Sequence, residues 1–176
     1  GVTRTLDGSG ERAGPLRHRL TTAAPAEELA SLLEDEDLHD VVLVGTSVGG
    51  RVTAKVAELQ RERVSRLVLL DALALLHGER ISDVLTPVAT ITTETAVGVS
   101  PEARKRLLAE LEPETAAWAA DRFGLHPVAV LTEPVVLEQF WDQTWDATVI
   151  FWRRAHNPGE AILRRRAEKL TARGFV

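Results

Sequence analysis

The 176-residue sequence contains no cysteine, and this absence excludes several kinds of chemistry. Without cysteine the chain has no disulfide framework, no thiolate nucleophile and no thiolate-ligated zinc. Histidine and carboxylate residues do not cluster with the spacing of a metal site either, so neither a metal nor another cofactor is expected. A chain without disulfides fits a reducing compartment, and the expected location is cytoplasmic.

Long apolar runs and blocks of one charge are also missing. Apolar runs, such as the four residues Leu67 to Leu70, are far too short to span a bilayer, and no signal-peptide pattern opens the chain. The net charge is −5 and the two signs are mixed along the chain. No membrane and no nucleic-acid partner is therefore expected. A small-molecule substrate is the expected partner, and a homodimer remains open.

Methionine is absent as well, and the sequence begins at Gly1. We therefore expect a processed or cropped start, or a part of a longer protein. The hydrophobic fraction of 44% supplies enough apolar material for the core of one domain over residues 1–176. Within it, residues 1–71 and 144–176 are predicted to form the core, and residues 72–143 a cap-like insertion.

The clearest pattern lies in residues 41–50, VVLVGTSVGG. Four apolar residues, Val41 to Val44, are typical of a short strand that is buried on both faces. Gly45 to Gly49 form a Gly-x-Ser-x-Gly sequence, and Arg51 to Gln60 then repeat apolar residues with helical spacing. Strand, sharp turn and helix are the context of a nucleophile elbow. The pattern predicts Ser47 as a nucleophile, and a small residue in a tight turn is the alternative.

Alternating strands and helices are predicted on both sides of this elbow. A strand over Val64 to Leu70 ends at Asp71 and should run parallel to the first. The insertion is predicted to be helical and to lie over the carboxyl edge of the sheet. The remaining predicted elements are a strand over 1–6, a helix over 25–34 capped by Thr22, helices over 101–111 and 113–123, a strand over 147–152, a helix over 159–172, and the start of a strand over 174–176.

Four segments carry a resemblance to a known family. They are LDGSGER at 6–12, LASLLEDEDLHDVVLVGTSVGG at 29–50, RVSRLVLLDA at 63–72 and HPVAVLTEP at 126–134. Together they resemble an α/β-hydrolase, and within that fold they are most similar to small esterases and hydroxynitrile lyases of the plant methylesterase type and their bacterial relatives. The resemblance implies an α/β fold: a doubly wound, mostly parallel sheet with helices on both faces and a helical cap insertion.

The resemblance also implies roles for the elbow residues. Ser47 takes the nucleophile position, the N–H of Val48 takes one oxyanion-hole position, and Gly45, Thr46 and Gly49 complete the turn. The family's second oxyanion amide would precede Gly1, and its catalytic histidine would follow Val176. The loop that usually holds the family's acid matches residues 153–158, RRAHNP, which contain no carboxylate.

Several further side chains are candidates for the site, each with a structural alternative. Asp71 lies where some members of the wider fold place the acid, although a structural cap is the alternative. His156 could act as a base or bind substrate from the loop at 153–158, or be a surface histidine. His126, Trp118 and Trp141 could line a substrate pocket or belong to ordinary packing.

Two classes of function follow. The first is a serine-nucleophile hydrolase that acts on an ester or related carbonyl of a small, largely apolar molecule. A lyase or carbon–carbon bond enzyme on the same fold is a variant of it. The second is a non-catalytic protein of α/β-hydrolase type that binds a small molecule or a partner, because the residues that would activate Ser47 are absent or replaced.

Overall fold

The computed structural model describes residues 5–6, 12, 21, 23–72, 75–84, 89–91, 96–124, 126–127, 129–152 and 160–171. The helices are α1 (Ala23–Asp35), α2 (Gly49–Leu59), α3 (Ile81–Val84), α4 (Pro101–Leu108), α5 (Pro113–Asp121), α6 (Ala129–Thr132) and α7 (Glu160–Thr171). The strands are β1 (Val41–Thr46), β2 (Val64–Leu70), β3 (Ala89–Ile91), β4 (Ala96–Val99), β5 (His126–Pro127) and β6 (Ala147–Ile150). A short 3-10 helix covers Phe140–Asp142.

The main sheet consists of three parallel strands in the order β1, β2, β6. Runs rich in valine and leucine form these strands because branched side chains pack well on a pleated surface. Thr46 pairs with Leu70 and Leu70 pairs with Ile150, so the three strands end at one carboxyl edge. The predicted parallel pairing of the first two strands is confirmed, and β2 is the central strand of the three.

The two faces of β1 differ in burial. Leu43 packs against both core clusters, whereas Val42 and Val44 on the opposite face are 50% and 60% exposed. The prediction that this strand is buried on both faces is therefore wrong. Helix α2 packs on the Leu43 side, and among the described residues no helix covers Val42 and Val44.

Helices α1 and α2 form a layer on the covered face. Val52 and Val56 of α2 pack with Ala26 and Leu33 of α1 in one cluster of buried side chains. Helix α1 is longer by two residues at its start than the predicted one. The hydroxyl of Thr21 accepts a hydrogen bond from the N–H of Ala24 at 3.3 Å, so it satisfies a donor of the first turn. The predicted cap, Thr22, lies outside the described residues.

The segment between the core strands contains helices and a second sheet. Helices α4 and α5 confirm the two predicted helices, and the hydroxyl of Ser100 accepts from the N–H of Ala103 at 3.2 Å as the predicted cap. Strands β3, β4 and β5 form a small antiparallel sheet. The prediction of a helical insertion missed this sheet, because its strands have only two to four residues.

Aromatic side chains fill the core beside the main sheet. The ring of Phe140 stacks on Trp145 and meets Trp141 edge-on, with 5.3 Å between centroids in each pair. The indole N–H of Trp141 donates to the carbonyl of Leu75 at 2.9 Å, and that of Trp145 donates to the carbonyl of Phe140 at 2.8 Å. Buried indoles thus keep their donors satisfied.

Helix α7 and strand β6 confirm the last predicted helix and the strand before it, with the strand shorter than expected. Of the strand predicted over residues 1–6, only Thr5 and Leu6 are described, and neither lies in a strand. The strand predicted from Gly174 lies outside the described residues. The α/β class and the mostly parallel main sheet are confirmed.

Candidate active site

Ser47 occupies a strained turn between β1 and α2. Its φ is +49°, a left-handed conformation that costs a residue with a Cβ about 1–2 kcal/mol. Its N–H donates to the carbonyl of Leu70 at 3.3 Å, and its carbonyl accepts from the N–H of Gly50 at 3.1 Å. The side chain is exposed at the carboxyl edge of the sheet. This geometry is the one that a nucleophile elbow requires.

Gly45 allows β1, which precedes this turn, and α2, which follows it, to pack closely against each other. A Cβ placed on Gly45 would lie 2.4 Å from Oγ1 of Thr53 and 3.2 Å from the Cα of Gly50. Only glycine fits there without a shift of the helix. Gly49, in contrast, has open space where a Cβ would stand. The first glycine of the motif therefore has a steric role that the second does not share.

The two residues on either side of Ser47 differ in their surroundings. Thr46, the last residue of β1, is exposed. Val48 takes helical dihedral angles at the start of α2, with φ −62° and ψ −18°, and its side chain packs against the core. The backbone N–H of Val48 therefore belongs to the positive end of the helix, where anions are stabilised.

Asp71 has the same unusual conformation at the end of the central strand. Its φ is +46°, and its N–H donates to the carbonyl of Ile150 at 2.8 Å. Because Thr46 pairs with Leu70, Ser47 and Asp71 are the next residues on neighbouring strands. Strand spacing places their Cα atoms about 5 Å apart. The structure thus brings these two predicted residues together at one edge.

Two other aspartates have positive φ, at the opposite end of β1. Asp37 and Asp40 have φ of 47° and 54° in the turn between α1 and β1. Hydrogen bonds and charge attraction from Arg63 and His39 lower the pKa of Asp37 from its ordinary value, and the side chain is 82% exposed. Aspartate tolerates this conformation in turns. These two residues are accounted for by local structure.

Arg51 is a buried cation one helical turn after Ser47. The residue is 4% exposed, and this burial lowers the pKa of its guanidinium to about 10, against an opposing effect of the carboxylate of Glu133. The group therefore stays protonated at neutral pH. Glu133 follows α6 and is half-buried. A cation in the first turn of a helix opposes the helix dipole. The position of Arg51 in the predicted helix is therefore the one unusual feature of this residue that the sequence shows.

Of the remaining candidates, two belong to described parts of the fold and two have no described side chain. Trp118 is 58% exposed and lies under the guanidinium of Arg122, 4.6 Å from its ring centroid. Trp141 is in the core, at 9% exposure. His126 belongs to β5, but its side chain is not described, and His156 lies outside the described residues. The pocket and base roles of these four residues stay predictions.

A groove of about 370 Å³ lies between β6 and α7 and does not include Ser47 or Asp71. It is lined by Ala147, Thr148, Val149, Phe151, Arg164, Ala167 and Glu168. Within the described part of the chain, no three histidine or carboxylate side chains group as a metal site would require. Among those same residues, no helix has both the length and the apolar character needed to cross a membrane.

Comparison with known proteins identifies the family. The sequence matches the α/β hydrolase family over residues 4–173. The chain belongs to this family. A likeness in fold agrees: an extracellular α/β-hydrolase from a Paenibacillus species, described as homologous in structure and function to tobacco salicylic acid binding protein 2, has a TM-score of 0.78 at 18% identity, covering 99% of this chain and 76% of that one.

Two curated relatives of this α/β hydrolase carry names of ester-cleaving enzymes. The carbendazim hydrolyzing esterase of Nocardioides sp. (strain SG-4G) is 34% identical over 84 residues, which are 48% of this chain and 35% of the esterase. Lipase LipV of Mycobacterium tuberculosis (strain ATCC 25618 / H37Rv) is 34% identical over 99 residues, 56% of this chain and 34% of the lipase. Each match spans about a third of the relative's length.

Proposed function

We propose that this α/β hydrolase cleaves an ester or related carbonyl bond of a small, largely apolar molecule, with Ser47 as nucleophile. The observation that carries the proposal is the left-handed Ser47 between β1 and α2, exposed at the carboxyl edge of the sheet. Glycine would adopt this conformation without strain, and non-glycine residues held in it cluster at functional sites. The names of the two curated relatives give independent support.

The proposed reaction has two steps. The hydroxyl oxygen of Ser47 attacks the carbonyl carbon while a histidine takes its proton, and the alcohol leaves with that proton. Water then attacks the acyl group, which releases the acid and restores the serine. The oxyanion formed in each step would be stabilised by the N–H of Val48 at the start of α2. His156 is the histidine of this chain proposed as the base.

Asp71 is the proposed acid that orients this histidine. Three observations support the assignment: its left-handed backbone, its place beside Ser47 on the neighbouring strand, and the absence of any carboxylate in residues 153–158. A carboxylate in this position would hold the imidazole in the correct tautomer and stabilise the imidazolium that forms.

Asp71→Asn is expected to lower kcat for ester hydrolysis about 10²- to 10⁴-fold. Asparagine tolerates the left-handed conformation, so the change removes the charge and leaves the backbone. Without the carboxylate, the pKa of the histidine falls. The acidic limb of kcat/KM, which reports loss of the neutral base, is then expected to move to lower pH. Steady-state kinetics across pH measure both effects.

Asp40→Asn is the matched control, because Asp40 is also left-handed, at φ 54°, but lies at the opposite end of β1. It should leave both the rate and the pH profile unchanged. An unaltered rate in Asp71→Asn would remove Asp71 from the mechanism and assign it the role of a structural cap.

A fluorophosphonate probe tests the function as a whole. The folded full-length protein is expected to gain one phosphonate adduct, which peptide mass spectrometry places on Ser47. Hydrolysis of short-chain p-nitrophenyl esters should accompany labelling. A full-length protein that is folded, yet neither labelled nor active on esters, would contradict the proposal and favour a non-catalytic binding role.

A further inference from the structure

The loop that follows Asp71 is fixed at several points by partners far along the chain. The carbonyl of Leu75, which is fully buried, accepts the indole N–H of Trp141 at 2.9 Å. Gly78 and Glu79 form a two-way backbone link with Val135: the N–H of Gly78 donates to Val135, and the N–H of Val135 donates to Glu79, each at 2.8 Å. Residues 75–79 are therefore held in one position.

The carboxylate of Glu79 connects this loop to helix α7. One oxygen accepts the backbone N–H of Leu76 at 2.8 Å, and the other accepts the guanidinium of Arg166 at 2.5 Å. The two residues are 87 positions apart in sequence. Arg166 is 8% exposed as a residue, and the side chain of Glu79 is 25% exposed. Of the arginine–carboxylate pairs recorded among the described residues, the pair of Glu79 and Arg166 is the least exposed.

Stability alone does not explain such a pair. Removing two charges from water offsets most of their attraction, and two apolar side chains of similar size stabilise a fold as well or better. A charged pair with directional hydrogen bonds instead fixes the relative position of the parts that it joins. Here those parts are the loop after Asp71 and the last described helix.

The position of Asp71 depends on how firmly its neighbours are held. Aspartate tolerates a left-handed conformation, but a side chain that must orient a catalytic group needs surroundings that fix the conformation. On one side, Asp71 is held by β2 and by the carbonyl of Ile150. On the other, Ala72 is buried in the core, and the next described residues are Leu75 and Leu76, of which Leu76 is bound by Glu79.

We infer that Glu79 is a positioning residue, which holds the carboxylate of Asp71 beside Ser47 through the loop at residues 75–79 and its ion pair with Arg166. The inference rests on the proposed function, in which Asp71 is the acid of a serine hydrolase. Glu79 itself does not touch the reacting atoms. It acts only by keeping Asp71 in a conformation that the backbone would otherwise leave.

Glu79→Gln is the first variant, measured in the full-length protein by the rate of fluorophosphonate labelling of Ser47 across pH. It keeps the size of the side chain and weakens both contacts. In metal sites, residues that orient the ligands change activity about 10- to 100-fold, and we take the lower end as the scale. We expect labelling to slow about tenfold, with the same shift of the acidic limb as in Asp71→Asn.

Asp71→Asn/Glu79→Gln separates positioning from general destabilisation. If Glu79 acts through Asp71, the double variant is labelled at the rate of Asp71→Asn alone, because there is no longer a carboxylate to position. Losses that multiply would overturn the inference, as would wild-type labelling of Glu79→Gln. Absence of labelling in the wild-type protein would remove the proposed function and this inference with it.

Asp146→Asn is the control. Asp146 accepts two hydrogen bonds from Arg66, at 2.6 and 2.8 Å, next to the amino ends of β2 and β6. The Asp146→Asn variant thus loses an arginine–carboxylate pair at the other edge of the same sheet, and its labelling rate should match that of the wild type.

If Glu79→Gln fails to fold, Arg166→Lys tests the Glu79–Arg166 pair from the other side, because lysine keeps the charge and loses the planar fork. It should give a smaller slowing with the same shift, and a wild-type profile would overturn the inference.

Discussion

Ser47→Gly is expected to abolish fluorophosphonate labelling and ester hydrolysis while leaving a protein at least as stable as the wild type. Loss of the nucleophile should reduce kcat by about 10⁴- to 10⁶-fold. The φ of +49° costs serine about 1–2 kcal/mol that glycine does not incur. Glycine loses more backbone entropy on folding, by about 0.5–1 kcal/mol, so the net gain is about 0–1.5 kcal/mol. Thermal unfolding and single-turnover labelling measure the two effects.

Ser47→Ala separates the two contributions. It removes the hydroxyl but retains a Cβ in the left-handed conformation, so it should be as inactive as Ser47→Gly and less stable than it. Asp40→Gly relieves the same conformation at the opposite end of β1 and should stay fully active. Continued labelling of Ser47→Gly would show that the probe reacts with another residue and would remove Ser47 from the proposed mechanism.

The elbow could be predicted from the sequence because its structure depends on neighbouring residues only. A run of apolar residues, Gly-x-Ser-x-Gly and an amphipathic helix together specify strand, turn and helix by local rules alone. The structure confirms each of these elements, at Val41–Thr46 and Gly49–Leu59. Asp71 was found in a similar way, because it directly follows the apolar run of β2.

Structural features that depend on residues far away in the sequence could not be predicted from local patterns. Val42 and Val44 have the sequence character of a strand covered on both sides, but burial depends on which elements pack there and not on the strand itself. Strands β3 to β5 are too short to show a period. In the insertion, the local pattern therefore predicted helices α4 and α5 and missed the strands before and after them, which form the small sheet.

Two charged residues that only the fold explains show the same limit. The place of Arg51 in the first turn of α2 is unusual for a cation, but the spacing of Val52 and Val56 does not predict that the residue is only 4% exposed. Glu79 meets Arg166 across 87 residues, and only the fold brings them together. Sequence motifs thus located the groups proposed to react, whereas the groups that hold them in place required the structure.

Gly45→Ala is expected to be strongly destabilising and to remove labelling of Ser47. The new methyl group would lie 2.4 Å from Oγ1 and 3.1 Å from Cβ of Thr53, and 3.2 Å from the Cα of Gly50. Thr53 is 7% exposed and has no room to turn away, and the contact with Gly50 is to backbone. Overpacking of this kind costs about 1–3 kcal/mol, and we expect the upper end. For a chain of this length, unfolding should then occur about 6–12 °C lower.

Function should be lost beyond what stability explains, because helix α2 can escape the clash only by moving away from β1, and Ser47 lies between them. Gly49→Ala is the matched control: its Cβ meets nothing within 4 Å, and alanine is a better helix former than glycine. It should unfold no earlier than the wild type and remain labelled. Adding Thr53→Ala to Gly45→Ala removes the closest atom and leaves the two contacts beyond 3 Å, so stability should return in part. Wild-type stability and labelling of Gly45→Ala would contradict the close packing of β1 against α2 on which the geometry of Ser47 depends.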